Sequence, residues 1–406
     1  MIEMGLDRVA SVSQKLGLLP RFPIITVGGT NGKGSACAVL EAILHQAGYK
    51  VGCYTSPHLV RYNERVHVER VEASDDALVR ALGAVERARG DTVLTYFEFS
   101  TLAAVWLFTQ EQVDVGVLEV GLGGRLDAVN AFDADCAMLM SIELDHMDYL
   151  GDTREAIGFE KAGIFRPGRP AICADAYPPQ TVIRRAAEVG AELLTAGRDF
   201  GGELQPQQWR YWGPRGERHG LPHPVLRGEY QVANAAAALA ALDALRDKLP
   251  VSASDIRTGL LTAENPGRFQ VLPGRPAVIL DVAHNPAAAR ALSQNLAHMR
   301  NPGRTYAVFS MLKDKDIAGV IGAVKSGVDE WLVSAIEGPR GTDAEAIREA
   351  LARAGVTERV STHGSVADAY VQACDKAAEN DRIVVFGSFY TVAAVMALRE
   401  RLRRAR

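Results

Sequence analysis

The sequence predicts an α/β protein of two domains: a mostly parallel sheet domain carrying a phosphate loop, followed by a smaller α/β domain. Three observations predict it. Short apolar, β-branched runs alternate with longer helical patterns from residue 23 almost to the end of the chain. Two runs, "DVGVLEVG" (114–121) and "CAMLMSIELDH" (136–146), are nearly continuously apolar, as strands buried on both faces of a parallel sheet are. The length of 406 residues exceeds what a single hydrophobic core usually organises.

In chain order, "PIITV" (23–27) reads as a strand and "SACAVLEAILHQAG" (35–48) as a helix that stops near Gly48. "KVGCYTS" (50–56) is a second strand, "STLAAVWLFTQE" (100–111) a helix, and 114–121 and 136–146 are buried strands. "TREAIGFEKAGIF" (153–165) is a helix with Asp152 or Thr153 as its cap. Residues 201–225 break the rhythm with Pro, Gly and aromatics, as an antiparallel excursion or an exposed loop does. There Trp209, Tyr211 and Trp212 lie beside Arg210 and Arg215, either to stack on nucleic-acid bases or as a plain surface hairpin. The acidic chain favours the hairpin. The Ala-rich stretch 230–248 is a helix whose small residues permit close packing. "ENPGRFQVLPGRP" (264–276) has the Pro and Gly content of a domain joint. Beyond it, strands are expected at 277–282, 305–311, 330–336 and 382–388, with helices between. The domains are therefore 1–270 and 271–406, hinged near residue 270.

Bulk composition excludes several classes. Hydrophobic residues are 48% and charged residues 23%, as in a soluble globular protein. A net charge of −4 gives no reason to expect nucleic acid or an anionic membrane as partner, and leaves room for a local basic pocket. Five scattered cysteines without a C-x-x-C pair argue against a disulfide framework or a zinc site and fit a reducing cytoplasm. The N-terminus lacks an apolar signal core, and no uncharged apolar run reaches the roughly 18 residues a membrane helix needs.

The chemistry concentrates at strand ends. "VGGTNGKGS" (27–35) lies between a strand and a helix, where backbone N–H groups and the helix N-terminus point at anionic oxygens. It departs from the common G-x-x-x-x-G-K-[ST] pattern: Val27 stands at the first Gly, Gly34 at the hydroxyl, and Ser35 follows one residue late. Lys33 belongs on the β/γ-phosphates, with Ser35 on phosphate or Mg²⁺. The bland alternative is an ordinary strand-to-helix turn. Glu119, after one buried run, and His146, after another, enter the same crevice, because open parallel sheets bind ligands at the carboxyl ends of their strands. Glu119 suits Mg²⁺ and His146 is a less usual ligand for it. Lys161 in "GFEKAGIF" is open to two readings, a site residue or a surface lysine lying along apolar neighbours. At the domain joint Arg268 suits a phosphate and Asp281, at a strand end, a ribose hydroxyl; the bland alternative is that each caps and pairs locally. His284 and Asn285 follow in "LDVAHNP", where Pro286 opens a helix.

Together "GTNGKGS", "YTSPHLVRYNERV", "TYFEFSTLAAVWLF", "LEVGLGGRLDAVN", "LDHMDYLGDTREAIGFEKAGIF", "NPGRF", "LDVAHNP", "MLKDKDI", "EGPRG" and "FGSFYTVA" resemble the Mur-ligase superfamily, in particular its bacterial bifunctional dihydrofolate synthase/folylpolyglutamate synthase family. The resemblance runs from about residue 5 to residue 397. It implies a P-loop domain of the Mur-ligase central type and a Rossmann-like second domain on the glutamate side, with the active site in the cleft between them.

It also implies roles. Thr30, Asn31, Gly32, Lys33, Gly34 and Ser35 match the ATP loop, and Asn234, Arg268 and Asp281 match further ATP contacts. Ser56, Glu119 and His146 match Mg²⁺ ligands, for one ion or two, and Lys161 matches a lysine that such enzymes carbamylate into a further metal ligand. Thr95, Tyr96, Phe97, Glu98, Leu126, Asp127 and Ala128 match the pterin site of the bifunctional type, and Met4 and Gly5 align with a stretch touching the pterin. Family members carry a longer stretch before the segment matching "GLDRV". His284, Ser388 and Tyr390 are candidates on the glutamate side. The expected substrates are ATP, L-glutamate, dihydropteroate and reduced folates, and the expected assembly is a monomer. The implied reaction activates a carboxylate as an acyl phosphate, which domain closure shields from water. Competing readings are a monofunctional synthase of either kind, another Mur-type amide ligase, and a P-loop kinase or regulatory protein.

Overall fold

The computed structural model describes residues 5–299 and 303–404, which form two compact units. The first comprises the chain up to His58 together with Tyr62–Val225 and Tyr230–Glu264; the second comprises Leu59–Arg61, Leu226–Glu229 and the chain from Asn265 onward. Met4, matched above to the pterin stretch, lies outside the described residues.

The first unit is built on an eight-stranded sheet. Its strands are β1 (Ile24–Gly28), β2 (Val51–Tyr54), β3 (Val66–Val68), β4 (Val71–Glu72), β5 (Val115–Glu119), β6 (Cys136–Leu139), β7 (Pro170–Cys173) and β8 (Glu192–Thr195). Their spatial order is β4-β3-β2-β5-β1-β6-β7-β8, parallel throughout except for β3 and β4. β1 and β5 are buried at every position, which is why both read as continuous apolar runs. The helices are α1 (Asp7–Lys15), α2 (Lys33–Gln46), α3 (Asp75–Arg89), α4 (Tyr96–Gln110), α5 (Met147–Leu150), α6 (Arg154–Ala162), α7 (Gln180–Val189), α8 (Glu229–Ala244) and α9 (Ala253–Thr262).

α2 is buried continuously from Ser35 to Leu44. Its close neighbour α9 meets it at Gly259, where a Cβ would fall 2.5 Å from Ile43 Cγ1. Residues 201–221 form a separate antiparallel sheet of β9 (Gly201–Leu204), β10 (Trp209–Gly213) and β11 (Gly216–Leu221). Trp209 and Tyr211 are fully buried, so these two rings offer no face for stacking on bases. Tyr211 Oη and Arg218 both donate to Asp243 of α8.

The second unit has a six-stranded sheet of β12 (Gln270–Leu272), β13 (Ala277–Leu280), β14 (Thr305–Phe309), β15 (Glu330–Ser334), β16 (Val360–His363) and β17 (Arg382–Phe386), ordered β12-β13-β17-β14-β15-β16. Only β12 runs antiparallel to its neighbour. α10 (Pro286–His298), α11 (Ile317–Val324), α12 (Ala344–Arg353), α13 (Val366–Lys376) and α14 (Phe389–Arg404) cover it. Phe309 packs edge-on to Trp331 at 5.4 Å and tilted against Phe386 at 4.8 Å in its core.

Three elements differ from expectation. β6 stops at Leu139 rather than near 146, because the polar residues that follow turn their backbone groups toward the glycine loop. α2 starts at Lys33, inside the loop motif, with Gly32 as its left-handed N-cap (φ 91°). α4 starts at Tyr96, where Thr95 and Glu98 close a reciprocal capping box. α6 is capped by Thr153, and α10 opens at Pro286 under Asn285, as the sequence suggests.

Candidate active site

Parallel pairing brings three strand ends together. Val27 of β1 is in register with Glu119 of β5, and Gly28 with Leu139 of β6. The loop after β1 therefore opens between the carboxyl ends of β5 and β6, where the strand order changes direction. Gly29 holds φ 132°, and a Cβ there would lie 2.8 Å from that of Met140, so only glycine fits. At Gly32 a Cβ would lie 2.7 Å from Asn234 Oδ1, which places Asn234 against the loop. Asn234 donates to Gln231 (3.0 Å), and Gln231 to the buried Ser35 hydroxyl (3.2 Å). Gln231 was missed in the sequence; its position one turn before Asn234 on the same helix was the available signal.

Two ammonium groups converge on one carbonyl. Lys33 Nζ donates to the Gly29 (3.0 Å) and Thr30 (3.1 Å) oxygens, and Lys161 Nζ donates to Gly29 O at 2.9 Å. Lys161 is only 5% exposed. Burial, and then the charge of Lys33, push its ammonium down to about 7, against a partial pull upward from Asp145 and Asp127. It is a lysine reaching inward rather than one lying along the surface. Tight glycine packing sets its place: a Cβ on Gly124 would sit 2.8 Å from Lys161 O, and one on Gly163 2.3 Å from Arg125 Cβ. Arg125 also pairs with Glu160 at 2.9 Å.

Ser56 lies just beyond the β2–β5 pairing, and its backbone N–H donates to Glu119 Oε2 at 2.9 Å. His146 caps α5 at φ 52°, with Nε2 3.8 Å from Asp145 Oδ2. Among the described residues, no three His, Cys, Asp or Glu side chains are gathered as a ready cage. The donor types do fit a hard divalent ion. A carboxylate, a hydroxyl and one imidazole suit Mg²⁺ or Mn²⁺ retaining several waters, not a closed thiolate site.

Asp127 is buried and accepts N–H bonds from Gly121 (3.1 Å), Leu122 (2.9 Å) and Val129 (3.0 Å), closing the glycine turn after β5. Burial raises its carboxyl to about 6, opposed by those three donors. Ala128 beside it is buried, and Leu126 is half-buried. Thr95 and Glu98 serve α4: Glu98 accepts from Thr95 N (2.7 Å) and from Arg8 (2.8 Å). Tyr96 is exposed and meets Tyr62 edge-on at 6.2 Å, with the Arg65 guanidinium 5.3 Å over its ring. Phe97 packs on Tyr54 at 5.9 Å. Gly5 is half-buried just ahead of α1.

In the second unit, Asp281 follows β13 and accepts from Phe269 N (2.9 Å) and Ala283 N (2.8 Å). Burial raises its carboxyl, opposed in part by Arg268. The Arg268 guanidinium lies 4.9 Å over the Phe389 ring. His284 Nδ1 is 2.8 Å from Val282 O. The Ser388 hydroxyl is buried, 2.7 Å from Thr391 Oγ1, and accepts from Thr391 N at the start of α14. Tyr390 is exposed.

The family model for the Mur ligase middle domain matches residues 27–242, and that for the Mur ligase glutamate ligase domain matches residues 267–389. The dihydrofolate synthase/folylpolyglutamate synthase of Escherichia coli (strain K12) is 48% identical over 396 residues, spanning 97% of this chain and 91% of that protein. Escherichia coli FolC in complex with DHPP and ADP aligns with a TM-score of 0.94 at 47% identity, over 99% of this chain and 94% of that one. A bifunctional folylpolyglutamate synthase/dihydrofolate synthase with Mn, AMPPNP and L-glutamate bound gives 0.92 at 46% identity, over 98% and 95%. The chain belongs to the Mur ligase superfamily and, within it, to the bacterial dihydrofolate synthase/folylpolyglutamate synthase family.

Proposed function

We propose that this protein is an ATP-dependent ligase that joins L-glutamate to dihydropteroate, giving dihydrofolate, and to reduced folates, giving folylpolyglutamates. The observation that carries this reading is the near full-length likeness, at 46% identity, to a bifunctional synthase holding Mn, AMPPNP and L-glutamate. The glycine loop supplies the matching chemistry, with a left-handed Gly29, a helix N-terminus and two lysines around one carbonyl.

The pterin carboxylate attacks the γ-phosphorus of ATP, and ADP leaves. The amine of L-glutamate then attacks the acyl phosphate, and inorganic phosphate departs from the tetrahedral intermediate as the amide forms. The amides from Gly32 to Ser35 hold the phosphate oxygens, while Thr30 and Asn31, whose N–H groups go to Ser141, shape the loop around them. Lys33 exchanges its two loop carbonyls for the transferring phosphoryl group, offsetting negative charge that water would otherwise solvate. Ser56, Glu119 and His146 hold Mg²⁺, which neutralises phosphate charge when bound. Asn234 fixes the loop at Gly32, and Arg268 and Asp281 are assigned to the nucleotide. Thr95, Tyr96, Phe97, Glu98, Leu126, Asp127 and Ala128 serve the pterin, and His284 and Ser388 the amino acid.

Lys161 is the residue that takes up carbon dioxide in this reading. Its depressed pKa leaves much of the amine neutral near pH 7, and the neutral amine is the nucleophile. The amine's lone pair forms the N–C bond as one C=O π pair of carbon dioxide moves onto oxygen, and one proton leaves the nitrogen, so a neutral amine beside Lys33 becomes an anion. Intact-mass measurement in bicarbonate buffer tests it: wild type gains the mass of one carbon dioxide, and Lys161→Met does not. We extend the reading to a cytoplasmic monomer, which the free cysteines suit and sedimentation tests.

ADP release decides the main reading. Release that needs both L-glutamate and dihydropteroate, or both L-glutamate and a reduced folate, supports the bifunctional ligase. Release with dihydropteroate alone indicates a kinase, and activity with one pterin class only indicates a monofunctional synthase.

A further inference from the structure

The segment 140–146 leaves the sheet after β6 and carries His146, yet it is neither helix nor strand. On one side it is pinned to the phosphate loop. Thr30 N–H donates to Ser141 O (2.6 Å), and Asn31 N–H to Ser141 Oγ (3.2 Å). Thr30 Oγ1 accepts from Glu143 N–H (3.0 Å) and donates to Glu143 O (3.2 Å). These bonds fix the two residues that open the loop. Between the two pinning residues stands Ile142, whose side chain is fully buried and whose backbone faces the other way. Its N–H donates to Asp175 Oδ2 (3.2 Å), and its carbonyl accepts from Arg154 Nε (2.8 Å). Arg154 Nη2 closes the figure on Asp175 Oδ2 at 2.5 Å and on Tyr177 O at 3.2 Å.

Asp175 comes two residues after β7, whose last ladder pair is Cys173 with Leu139. The parallel ladder continues for one bond, from Ala174 N–H to Leu139 O, and then stops. Beyond that point the backbone polar groups of Ile142 have no strand to meet, and buried groups without partners are costly. The Arg154–Asp175 pair takes the place of the missing strand. A fork-shaped guanidinium does this where an ammonium does not, since one rigid plane reaches a carbonyl and a carboxylate together.

We propose that Arg154 and Asp175 are positioning residues of the ligation reaction: by gripping both backbone groups of Ile142 they hold Ser141 and Glu143 against Thr30 and Asn31, and so keep the phosphate loop open for ATP. Arg154 opens α6, and Lys161 on the same helix grips Gly29 O. One helix thus holds Gly29 directly and, through Ile142, the neighbouring Thr30 and Asn31. This inference rests on the reading that the loop binds ATP.

The experiment measures ADP affinity in Mg²⁺ by calorimetry, KM for ATP and for L-glutamate, and thermal unfolding, on the full chain. Arg154→Ala and Asp175→Ala each weaken ADP and raise KM for ATP by about tenfold, while KM for L-glutamate stays within about twofold. The double variant is no worse than either single one, because both act through one peptide unit. Arg154→Lys recovers only part of the loss. Asp175→Asn, which keeps an acceptor and the fold, gives an intermediate ADP affinity. Variants that unfold more easily yet bind ADP as wild type does at low temperature overturn the proposal, as do equal changes in both KM values. Failure of wild type itself to bind ADP removes the ATP reading and the inference with it, whereas wild-type binding with unaffected variants removes the inference alone.

Discussion

Lys33 and Lys161 share the Gly29 carbonyl, and that geometry separates their roles. Lys33 spans a loop it is free to release, so Lys33→Ala is expected to abolish ATP-dependent ligation while circular dichroism and melting stay near wild type. Near-normal turnover in that variant removes the lysine from the mechanism. Lys161 is buried and gives up its proton well below the range of an exposed lysine. Between pH about 7 and its ordinary value of 10.5, the unfolded chain carries a proton that the folded chain has released. Unfolding then takes up a proton, so stability rises with pH across that window, by up to about 1 kcal/mol per pH unit. Urea unfolding in carbon-dioxide-free buffer is expected to show wild type gaining on Lys161→Met from pH about 7 to about 9. Parallel curves would mean that Lys161 keeps its proton in the fold. From sequence, Lys161 was open to a surface role because a long side chain can lie along the apolar neighbours of "GFEKAGIF" with its ammonium in water. Its burial depends on Gly124 and Gly163, which let the helix sit close to the turn after β5.

α4 shows how one residue serves an element before it serves a site. Thr95 was matched to pterin binding, and in the fold its hydroxyl accepts the Glu98 N–H at the helix start. Thr95→Ala is expected to cost about 1 kcal/mol in denaturant unfolding, with the slope unchanged. A loss of pterin affinity beyond that would indicate contact with substrate as well. The element boundaries that sequence misplaced share one cause. At α2 and α4 the first turn is set by caps and at β6 the end is set by cross-chain bonds, and neither leaves a periodic trace in the pattern. Short strands such as β12, β16 and the two-residue β4 were missed because runs of so few residues are too short to show a strand's alternation.

For the whole molecule, a ligand that binds only the folded chain stabilises it by mass action. ADP with Mg²⁺ at a hundredfold excess over its Kd is expected to add about 2.7 kcal/mol and to raise the melting temperature by a few degrees. An unchanged melting temperature at saturating ADP contradicts a nucleotide site in the loop. The sequence by itself determined the α/β class, because buried parallel strands must be apolar throughout, and it determined the family, because long motifs survive in order from "GTNGKGS" to "FGSFYTVA". It also placed Lys33 at the mouth of the loop, since glycine spacing and a following helix are local signals. Only the tertiary structure decided that Lys161 turns inward, that Gln231 ties Asn234 to Ser35, and that Arg154 and Asp175 stand in for a strand beside Ile142. Those bonds join residues that parallel pairing and close glycine contacts bring together from distant parts of the chain. No local pattern encodes them.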